Sequence, residues 1–208
     1  MHRCKLLLAL VMMLAATTAY PQNEVNDTIP AVTNVTKVFL FPGFAYEKRI
    51  GKHQTLYGKI FPAINFSFSF SDGIGGQRSE SSFYVDPALF VQYRYYYNGR
   101  RRQKNGKKTG LNSMNYIGFA DRAIVTKHPT TSDYYKEKRY RFKNTLGAVW
   151  GLQRNFKSRV SIDLNVGPAI YFGRSASIDM NGYLQTNAYT EFSLLTQFDV
   201  GFWLNKRK

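Results

Sequence analysis

The sequence lacks the residues from which disulfide-linked, zinc-thiolate and helical membrane proteins are built. Its 208 residues include a single cysteine, so neither a disulfide framework nor a zinc site with several thiolate ligands can form. Past the N-terminal segment, no apolar run approaches the roughly 20 residues that a transmembrane helix needs. Acidic residues are scarce, 13 against 29 lysines and arginines, and the formal net charge is +16.

Apolar and aromatic side chains, by contrast, are abundant. Apolar residues account for 44% of the chain and aromatic residues for 16%, and this composition excludes an intrinsically disordered protein. The length corresponds to one domain or two small ones. The aromatic share is unusual, and the fold has to explain it.

The N-terminal segment has the layout of a secretory signal peptide. Two positive charges within residues 3–5 precede an apolar core over residues 6–16, and the small residues 17–19 form a cleavage site. The apolar core is too short to span a bilayer, and the alternative interpretation is a buried N-terminal helix. Cys4 lies before the apolar core, whereas a lipoprotein cysteine would follow it. We predict that residues 1–19 are removed, that the chain is exported, and that the mature protein has no cysteine.

Beyond a polar lead-in over residues 20–34, the dominant pattern is an alternation of apolar and polar residues with a period of two. Within residues 159–172, Leu164 and Val166 lie on the apolar face and Asp163 lies on the polar face. Such alternation is typical of β-strands with two different faces. It predicts seven strand-forming segments, at about residues 36–48, 54–71, 83–97, 113–126, 137–153, 158–173 and 188–204.

These long segments fit two architectures. In a soluble barrel or sandwich the apolar face is the interior, whereas in an outer-membrane barrel the apolar face contacts lipid and the polar face lines the interior. Segment length, aromatic residues near segment ends and small polar residues on the other face all favour the membrane barrel. The aromatic residues are Tyr93, Tyr95, Tyr96, Tyr97, Tyr134, Tyr135, Phe202 and Trp203. We expect the side chains of Leu164, Val166, Phe66, Phe68, Leu146 and Phe198 to point outward into hydrocarbon.

Loop lengths indicate the strand count. The connections are short at 49–53 and 154–157, and long at 72–82, 127–136 and 174–187. Short connections are typical of the periplasmic side and long ones of the outside, although the periplasmic connection 98–112 is longer than a turn needs. If both termini lie on the same side, the number of strands must be even. We therefore predict that the first segment folds into two strands with a bend at Pro42-Gly43. The alternative is that it forms one strand. We predict an all-β, up-and-down antiparallel transmembrane β-barrel of eight strands over residues 35–204, followed by a basic tail at 205–208.

Three short stretches carry a family resemblance. They are FAYEKR at 44–49, YRYY at 93–96 before a turn with glycine and lysine, and NSMNY at 112–116 at the start of the next strand. Over residues 36–204 the chain resembles the small, uncharacterised outer-membrane β-barrel proteins of Bacteroidota. The resemblance implies a barrel in the outer membrane of a Gram-negative cell, with outer-membrane lipids and the barrel-assembly machinery as partners, and it implies no activity. Many such barrels end on an aromatic residue, whereas here FWL is followed by the basic tail NKRK.

The sequence has no motif for a metal, cofactor or catalytic site. His53 and His128 have no second histidine or cysteine at metal-ligand spacing. Residues 128–133 contain the residue types of a nucleophilic triad, but such close neighbours in a loop cannot converge as one. The glycine-rich segment 72–76 is not followed by a helix that would bind phosphate. We expect no catalytic residue, no metal and no cofactor.

The polar faces of the predicted strands bring charges into the barrel interior. Glu47, Arg94, Asp163 and Asp199 share the inward parity, and the up-and-down order places all four in the periplasmic half. Three carboxylates near one guanidinium repel each other unless a cation or proton intervenes, and the fork of Arg94 can bridge two of them, with Arg159 assisting from the rim. Higher up, we expect Glu191 to face Arg139, Arg141 and Lys143. This lumen charge network is interpreted as structural, and the alternative is a proton or ion path.

A basic run lies in the connection 98–112. Its cations are Arg100, Arg101, Arg102, Lys104, Lys107 and Lys108. Export excludes nuclear import, and we expect no nucleic acid as a partner. The remaining alternatives are a solvated turn and an electrostatic contact with anionic lipid head groups or an anionic envelope polymer. Such a contact would weaken as salt rises.

Three functional classes remain open. The sequence favours a monomeric, non-enzymatic structural, adhesive or binding component of the outer membrane. One alternative is a lipid-modifying enzyme with a site at the outer rim, although no predicted strand carries a histidine. The other is a periplasmic, lipocalin-like carrier of an apolar ligand. Fold alone does not choose among them.

Overall fold

The fold is a closed barrel of eight antiparallel strands in up-and-down order. The computed structural model describes residues 31–73, 76–127, 140–178 and 183–205. The strands are β1 (Val35–Phe39), β2 (Gly43–Arg49), β3 (Gln54–Gly73), β4 (Gly76–Tyr96), β5 (Asn115–Thr126), β6 (Arg141–Asn155), β7 (Val160–Ile178) and β8 (Leu184–Trp203). The ring closes where Lys37 of β1 lies opposite Trp203 of β8. The prediction of eight antiparallel strands in up-and-down order is confirmed.

The first predicted segment folds into two strands. β1 ends at Phe39, β2 begins at Gly43, and residues 40–42 form the turn. Pro42 fits a turn because its φ is fixed and it has no amide hydrogen for a ladder. The two strands have only five and seven residues, against 20 and 21 in β3 and β4. The barrel wall is therefore low at β1 and β2.

Two of the predicted long loops are largely strand. β3 and β4 stay paired as far as Gly73 opposite Gly76, so the prediction of a loop over 72–82 is wrong. β7 and β8 likewise pair over most of the second predicted loop, 174–187. Polar composition suggested loops, but the backbone of these polar segments is paired as strands. The third predicted loop falls mostly on residues 128–139, which lie outside the described residues and include His128, Tyr134, Tyr135 and Arg139.

The connection between β4 and β5 forms a floor beneath one end of the barrel. It contains helix α1 (Gly99–Lys104) and a 3-10 turn (Gly110–Asn112). The Asn112 side chain exchanges two hydrogen bonds of 2.8 Å with the backbone of Thr33. At the lower ends of β4 and β5, a buried apolar cluster consists of Val32, Tyr96, Met114 and Tyr116. The extra length of this connection therefore closes the barrel, and the last residues of the predicted lead-in pack against it.

Both termini of the described chain lie at this end, which we call the lower end. The Asn205 side chain donates to the Asn34 carbonyl at 2.7 Å, and its Oδ1 accepts from the Thr36 amide at 3.0 Å. Among the described residues, no helix is long and apolar enough to cross a membrane.

The two faces of the wall differ in polarity in the sense that the alternation predicts. Outward side chains are exposed at Leu164 (36%), Val166 (38%), Leu146 (51%) and Phe198 (63%). Inward side chains include Glu47, Arg94 and Asp163, each fully buried. The side chains of Phe66 and Phe68 lie outside the described part of the structure. Apolar groups therefore face out and charged groups face in.

Not every aromatic residue near the strand ends points outward. On the outer face, Trp150 Nε1 donates to the Tyr97 hydroxyl at 2.8 Å. Tyr96 and Trp203, which were expected to lie in an aromatic girdle, are buried on the inner face. Both residues share the inward parity of their strands β4 and β8. The direction of a side chain depends on this parity and not on how close the residue lies to the strand end.

A layer of apolar side chains crosses the interior above the charged residues. Its buried members are Phe39, Ala45, Tyr57, Phe90, Ala120, Val149, Ala169 and Leu195, with Phe61 half-buried at its edge. Phe90 points inward like Arg94 but lies four residues farther from the lower end, and Leu195 has the same relation to Asp199. Farther from the lower end the interior is charged again, because Asp86, Arg141 and Lys143 are buried there. The apolar layer therefore lies between two charged regions.

Candidate functional site

Arg94 of β4 is at the centre of the charged interior. Its guanidinium lies 3.8 Å from the ring centre of Tyr57 and 4.4 Å from that of Tyr116. Nη1 donates to Asp163 Oδ2 at 2.8 Å, and Nε donates to Gln92 Oε1 at 2.6 Å. All five residues are fully buried. Charge-assisted hydrogen bonds and cation–π contacts are strongest where water is excluded, so this arrangement fixes the guanidinium firmly.

Glu47 of β2 joins Arg94 through neutral side chains. Its Oε1 accepts from the hydroxyls of Thr55 at 2.7 Å and Tyr96 at 2.6 Å. Its Oε2 accepts from Gln153 Nε2 at 3.2 Å, and Gln153 Oε1 accepts from Arg94 Nη1 at 2.7 Å. Arg94 therefore contacts the carboxylate of Asp163 directly and reaches that of Glu47 through Gln153, instead of bridging the two carboxylates itself.

Lys37 of β1 balances the charge of these two carboxylates. Its Nζ lies 3.5 Å from Asp163 Oδ2 and 3.9 Å from Glu47 Oε2. The sequence required an extra cation or a proton near the carboxylates, and Lys37 supplies that cation. Sequence reasoning missed this lysine because it shares its parity with Val35 and Phe39, and the alternation rule places apolar residues on the outer face. In the structure all three side chains point inward.

Asp199 of β8 pairs with Lys59 of β3, not with Arg94. The Lys59 Nζ lies 2.6 Å from Asp199 Oδ1, and Gln197 Nε2 also donates to this carboxylate. In the strand register Asp199 lies directly opposite Asp163 of β7, where two like charges would destabilise the pair of strands. Each carboxylate has its own cation, and this removes the conflict. Lys59 is the second lysine that sequence reasoning missed.

A chain of hydrogen bonds links the group around Arg94 and Asp163 to the Lys59–Asp199 pair. Tyr116 donates to Asp163 Oδ1 at 2.7 Å, and Asn165 Nδ2 lies 3.3 Å from both the Tyr116 hydroxyl and Gln197 Oε1. Gln197 in turn contacts Asp199. Every strand contributes to the network: Lys37, Glu47, Lys59, Arg94, Tyr116, Gln153, Asp163 and Asp199 come from β1 to β8 in that order. A network with three cations and three carboxylates therefore ties the whole ring together.

The upper group of predicted charges is not brought together in the same way. Arg141 and Lys143 of β6 are buried on the inner face. Glu191 has the inward parity but is exposed, and no ion pair joins it to Arg141 or Lys143 within the described residues. Arg139 lies outside the described residues. Arg159, which was expected to assist Arg94 from the rim, is exposed with its guanidinium 5.6 Å from the ring centre of Trp203.

The basic run in the β4–β5 connection lies on the surface of the lower end. Arg100, Arg101, Lys104, Lys107 and Lys108 are exposed. Arg102 differs from them, because its Nε and Nη2 donate to the Lys108 carbonyl at 3.2 and 3.1 Å. Burial lowers the pKa of Arg102. Five cations are thus free to meet an anionic partner, while Arg102 holds the turn that presents them.

The described residues include no group of three histidine, cysteine or carboxylate side chains that could hold a metal ion. His53 lies in the turn between β2 and β3, where partial burial and the nearby charges of Lys52 and Arg100 lower its pKa. Its imidazole is therefore neutral at pH 7. Comparison with known proteins found no matching family model, no matching curated protein and no matching solved structure. Chemically, the interior network holds matched charges in place around a closed ring.

Proposed function

We propose that this protein is an outer-membrane β-barrel with a non-enzymatic structural, adhesive or binding role in the cell envelope, exported by a signal peptide at residues 1–19. One observation carries the proposal. The interior buries Arg94 and Asp163 completely. On the outer face, Leu146, Ile170 and Phe192 lie side by side on β6, β7 and β8 and are 51%, 50% and 82% exposed. Contiguous apolar surface of this kind is rare on monomeric soluble proteins and is the ordinary outer surface of a membrane barrel.

A filled interior supports a role that needs no open channel. An eight-stranded barrel has an interior just wide enough for its own side chains. Here the charged network, the apolar layer above it and the cluster at the floor place buried side chains across the lower part of that interior. Reconstituted into a planar bilayer, the protein should give no stable conductance. Large, reproducible current steps would contradict this part of the proposal.

The exposed cations of the floor support an anionic partner at the lower end. In a barrel with both termini in the periplasm, this end faces the periplasm, where anionic head groups or an acidic envelope polymer are available. Replacing Lys104, Lys107 and Lys108 by glutamate should abolish binding to anionic vesicles, and raised salt should weaken binding of the unaltered protein. A matched triple exchange to arginine keeps the charge and should keep binding. Equal binding by the glutamate variant would remove this partner from the proposal.

The decisive experiment is membrane fractionation combined with heat-dependent gel mobility. The full chain, expressed in a Gram-negative host, is expected in the outer-membrane fraction and should migrate differently before and after boiling. Recovery in the soluble periplasmic fraction would contradict the membrane location and favour the lipocalin-like carrier. Turnover of labelled outer-membrane lipid by the purified protein would favour the rim-sited enzyme instead.

A further inference from the structure

The barrel wall has a notch above the hairpin formed by β1 and β2. These strands have five and seven residues, whereas their neighbours β3 and β8 have 20 each. At a tilt of about 40°, five to seven residues rise about 13–18 Å, while the apolar band of an outer-membrane barrel is about 25 Å tall. β2 pairs with β3 only as far as Ile60, and within the described strands no ladder joins β3 directly to β8. The notch therefore begins within the height of the proposed membrane.

The tip of the short hairpin is apolar. Leu40 is 64% exposed and Phe41 is 74% exposed, and both belong to the turn itself. Turns in water are usually built from polar residues, glycine and proline. Beside the tip, the outward side chains of Ile60 and Phe198 on the two flanking strands are also exposed. This surface suits hydrocarbon at the floor of the notch.

The β8 edge of the notch is capped from inside the barrel. The Val200 carbonyl accepts from the Leu40 amide at 2.9 Å, so the carbonyl of Thr196, four residues away, faces the same edge. β1 has ended at that height, and Arg122 of β5 reaches across the interior so that its Nη2 donates to the Thr196 carbonyl at 2.7 Å. An otherwise unpaired acceptor on the edge thereby has a donor.

The β3 edge of the notch lacks a donor at the matching height. The His53 carbonyl accepts from the Tyr96 amide of β4, so odd-numbered residues of β3 pair toward β4 and even-numbered ones face the notch. The first even-numbered residue above Ile60 is Pro62, which has no amide hydrogen. Neither edge therefore favours pairing with an added strand at this height. Fewer unpaired backbone amide and carbonyl groups are then exposed to lipid.

We propose that the notch is a lateral docking site for an acyl chain of an outer-membrane lipid. The chain lies on the tip at Leu40 and Phe41, between the edges of β3 and β8, and against Phe61 at the margin of the apolar interior layer. Below it, Lys59 is the member of the charged network nearest the chain: its Nζ bonds Asp199 and lies 4.5 Å from the ring centre of Phe61. This inference rests on the proposed membrane location.

Tryptophan quenching by brominated lipid chains tests the inference. The full chain with Trp150→Phe and Trp203→Phe is reconstituted into vesicles of phosphatidylcholine brominated along one acyl chain, and one tryptophan is then introduced at a time. Phe119→Trp reports the outer face, Phe61→Trp the inner face at the notch, and Phe90→Trp the inner face behind a complete wall. We expect strong quenching at positions 119 and 61, and several-fold weaker quenching at position 90. Heat-dependent gel mobility verifies that each variant has folded.

The outcomes separate this inference from the proposed function. Absence of quenching at position 119 would overturn the membrane location itself. Quenching at position 119 with equally weak quenching at positions 61 and 90 would overturn the lipid site alone, as would cross-linking of a Phe41→Cys variant into dimers, because a second copy would then fill the notch. If Phe61→Trp does not fold, Phe41→Trp replaces it, and bromines near the bilayer centre should quench it more than bromines near the head group. The reverse order would overturn the site.

Discussion

The inner and outer faces of β7 have opposite chemistry although they alternate along one segment. Asp163 and Asn165 point inward and are fully buried, whereas Leu164 and Val166 point outward and are exposed. The inward groups are stabilised by specific side chains. Asp163, for example, contacts Arg94, Lys37 and Tyr116. The outward groups are apolar and exposed, and in the proposed membrane location they contact lipid as a whole.

This difference means that one kind of substitution has different consequences on the two faces. Removing a charge inside leaves its partner buried and unpaired, while adding a charge outside places it in the proposed hydrocarbon. Four predictions test this contrast, from the largest expected effect to the smallest.

The largest effect is expected from Arg94→Ala. The substitution leaves Asp163 buried without its closest cation, and loss of one partner of a buried pair costs about 3–5 kcal/mol. The unfolding free energy is measured by urea titration in micelles. Arg100→Ala, which removes an exposed arginine of α1, is the control and should change it by almost nothing. Equal unfolding midpoints for the two variants would show that the interior network does not stabilise the barrel.

The next largest loss of stability is expected from Val166→Arg, which tests whether the outer face contacts lipid. An arginine near the middle of a lipid-facing strand costs about 2–4 kcal/mol, and this falls to about 0–1 kcal/mol near the interface. Val160→Arg, at the lower end of the same strand, is therefore the matched control. The comparison is the unfolding free energy of the two variants in lipid vesicles. If both variants are as stable as the unaltered protein, the outer face is in contact with water.

A smaller effect is expected at the second ion pair. Lys59→Met leaves Asp199 with Gln197 as its remaining donor, and we expect a loss of about 1–3 kcal/mol in the free energy of unfolding. The double variant Lys59→Met with Asp199→Leu removes both charges and should recover part of that loss. Strictly additive losses in this double-mutant cycle would mean that the two side chains do not interact.

The smallest effect concerns the pH dependence that His53 contributes. Its pKa is lowered in the folded state, so below the unfolded pKa of about 6.5 the unfolded chain binds more protons than the folded one. The contribution of His53 to the free energy of unfolding is therefore fully present above pH 6.5, and it is lost as the pH falls toward the pKa of the folded state. Unfolding midpoints of the unaltered protein and His53→Gln, measured at pH 7.5 and pH 5, should diverge slightly, with the unaltered protein losing more. Parallel pH profiles would contradict the lowered pKa.

Sequence reasoning was most successful where the signal is local. The bend at Pro42-Gly43 and the inward parity of Arg94 and Asp163 were all predicted and are found in the structure. It failed at the upper parts of β3, β4, β7 and β8, where strands polar on both faces have the composition of loops. The floor could not be predicted either, because the contact between Asn112 and Thr33 joins residues 79 positions apart and has no local signal in the sequence.

The sequence by itself determined which side chains point in and which point out, because neighbouring side chains along a strand take opposite faces whatever lies beside them. Tertiary structure decided which inward charges meet. Lys59 reaches Asp199 from a strand that is not its ladder neighbour, because both side chains point into the closed interior. Asp163 and Asp199 lie opposite each other because the register of β7 and β8 places them there, and register is a property of the paired strands. Local alternation therefore fixed the polarity of each face, while register and ring closure fixed the contacts.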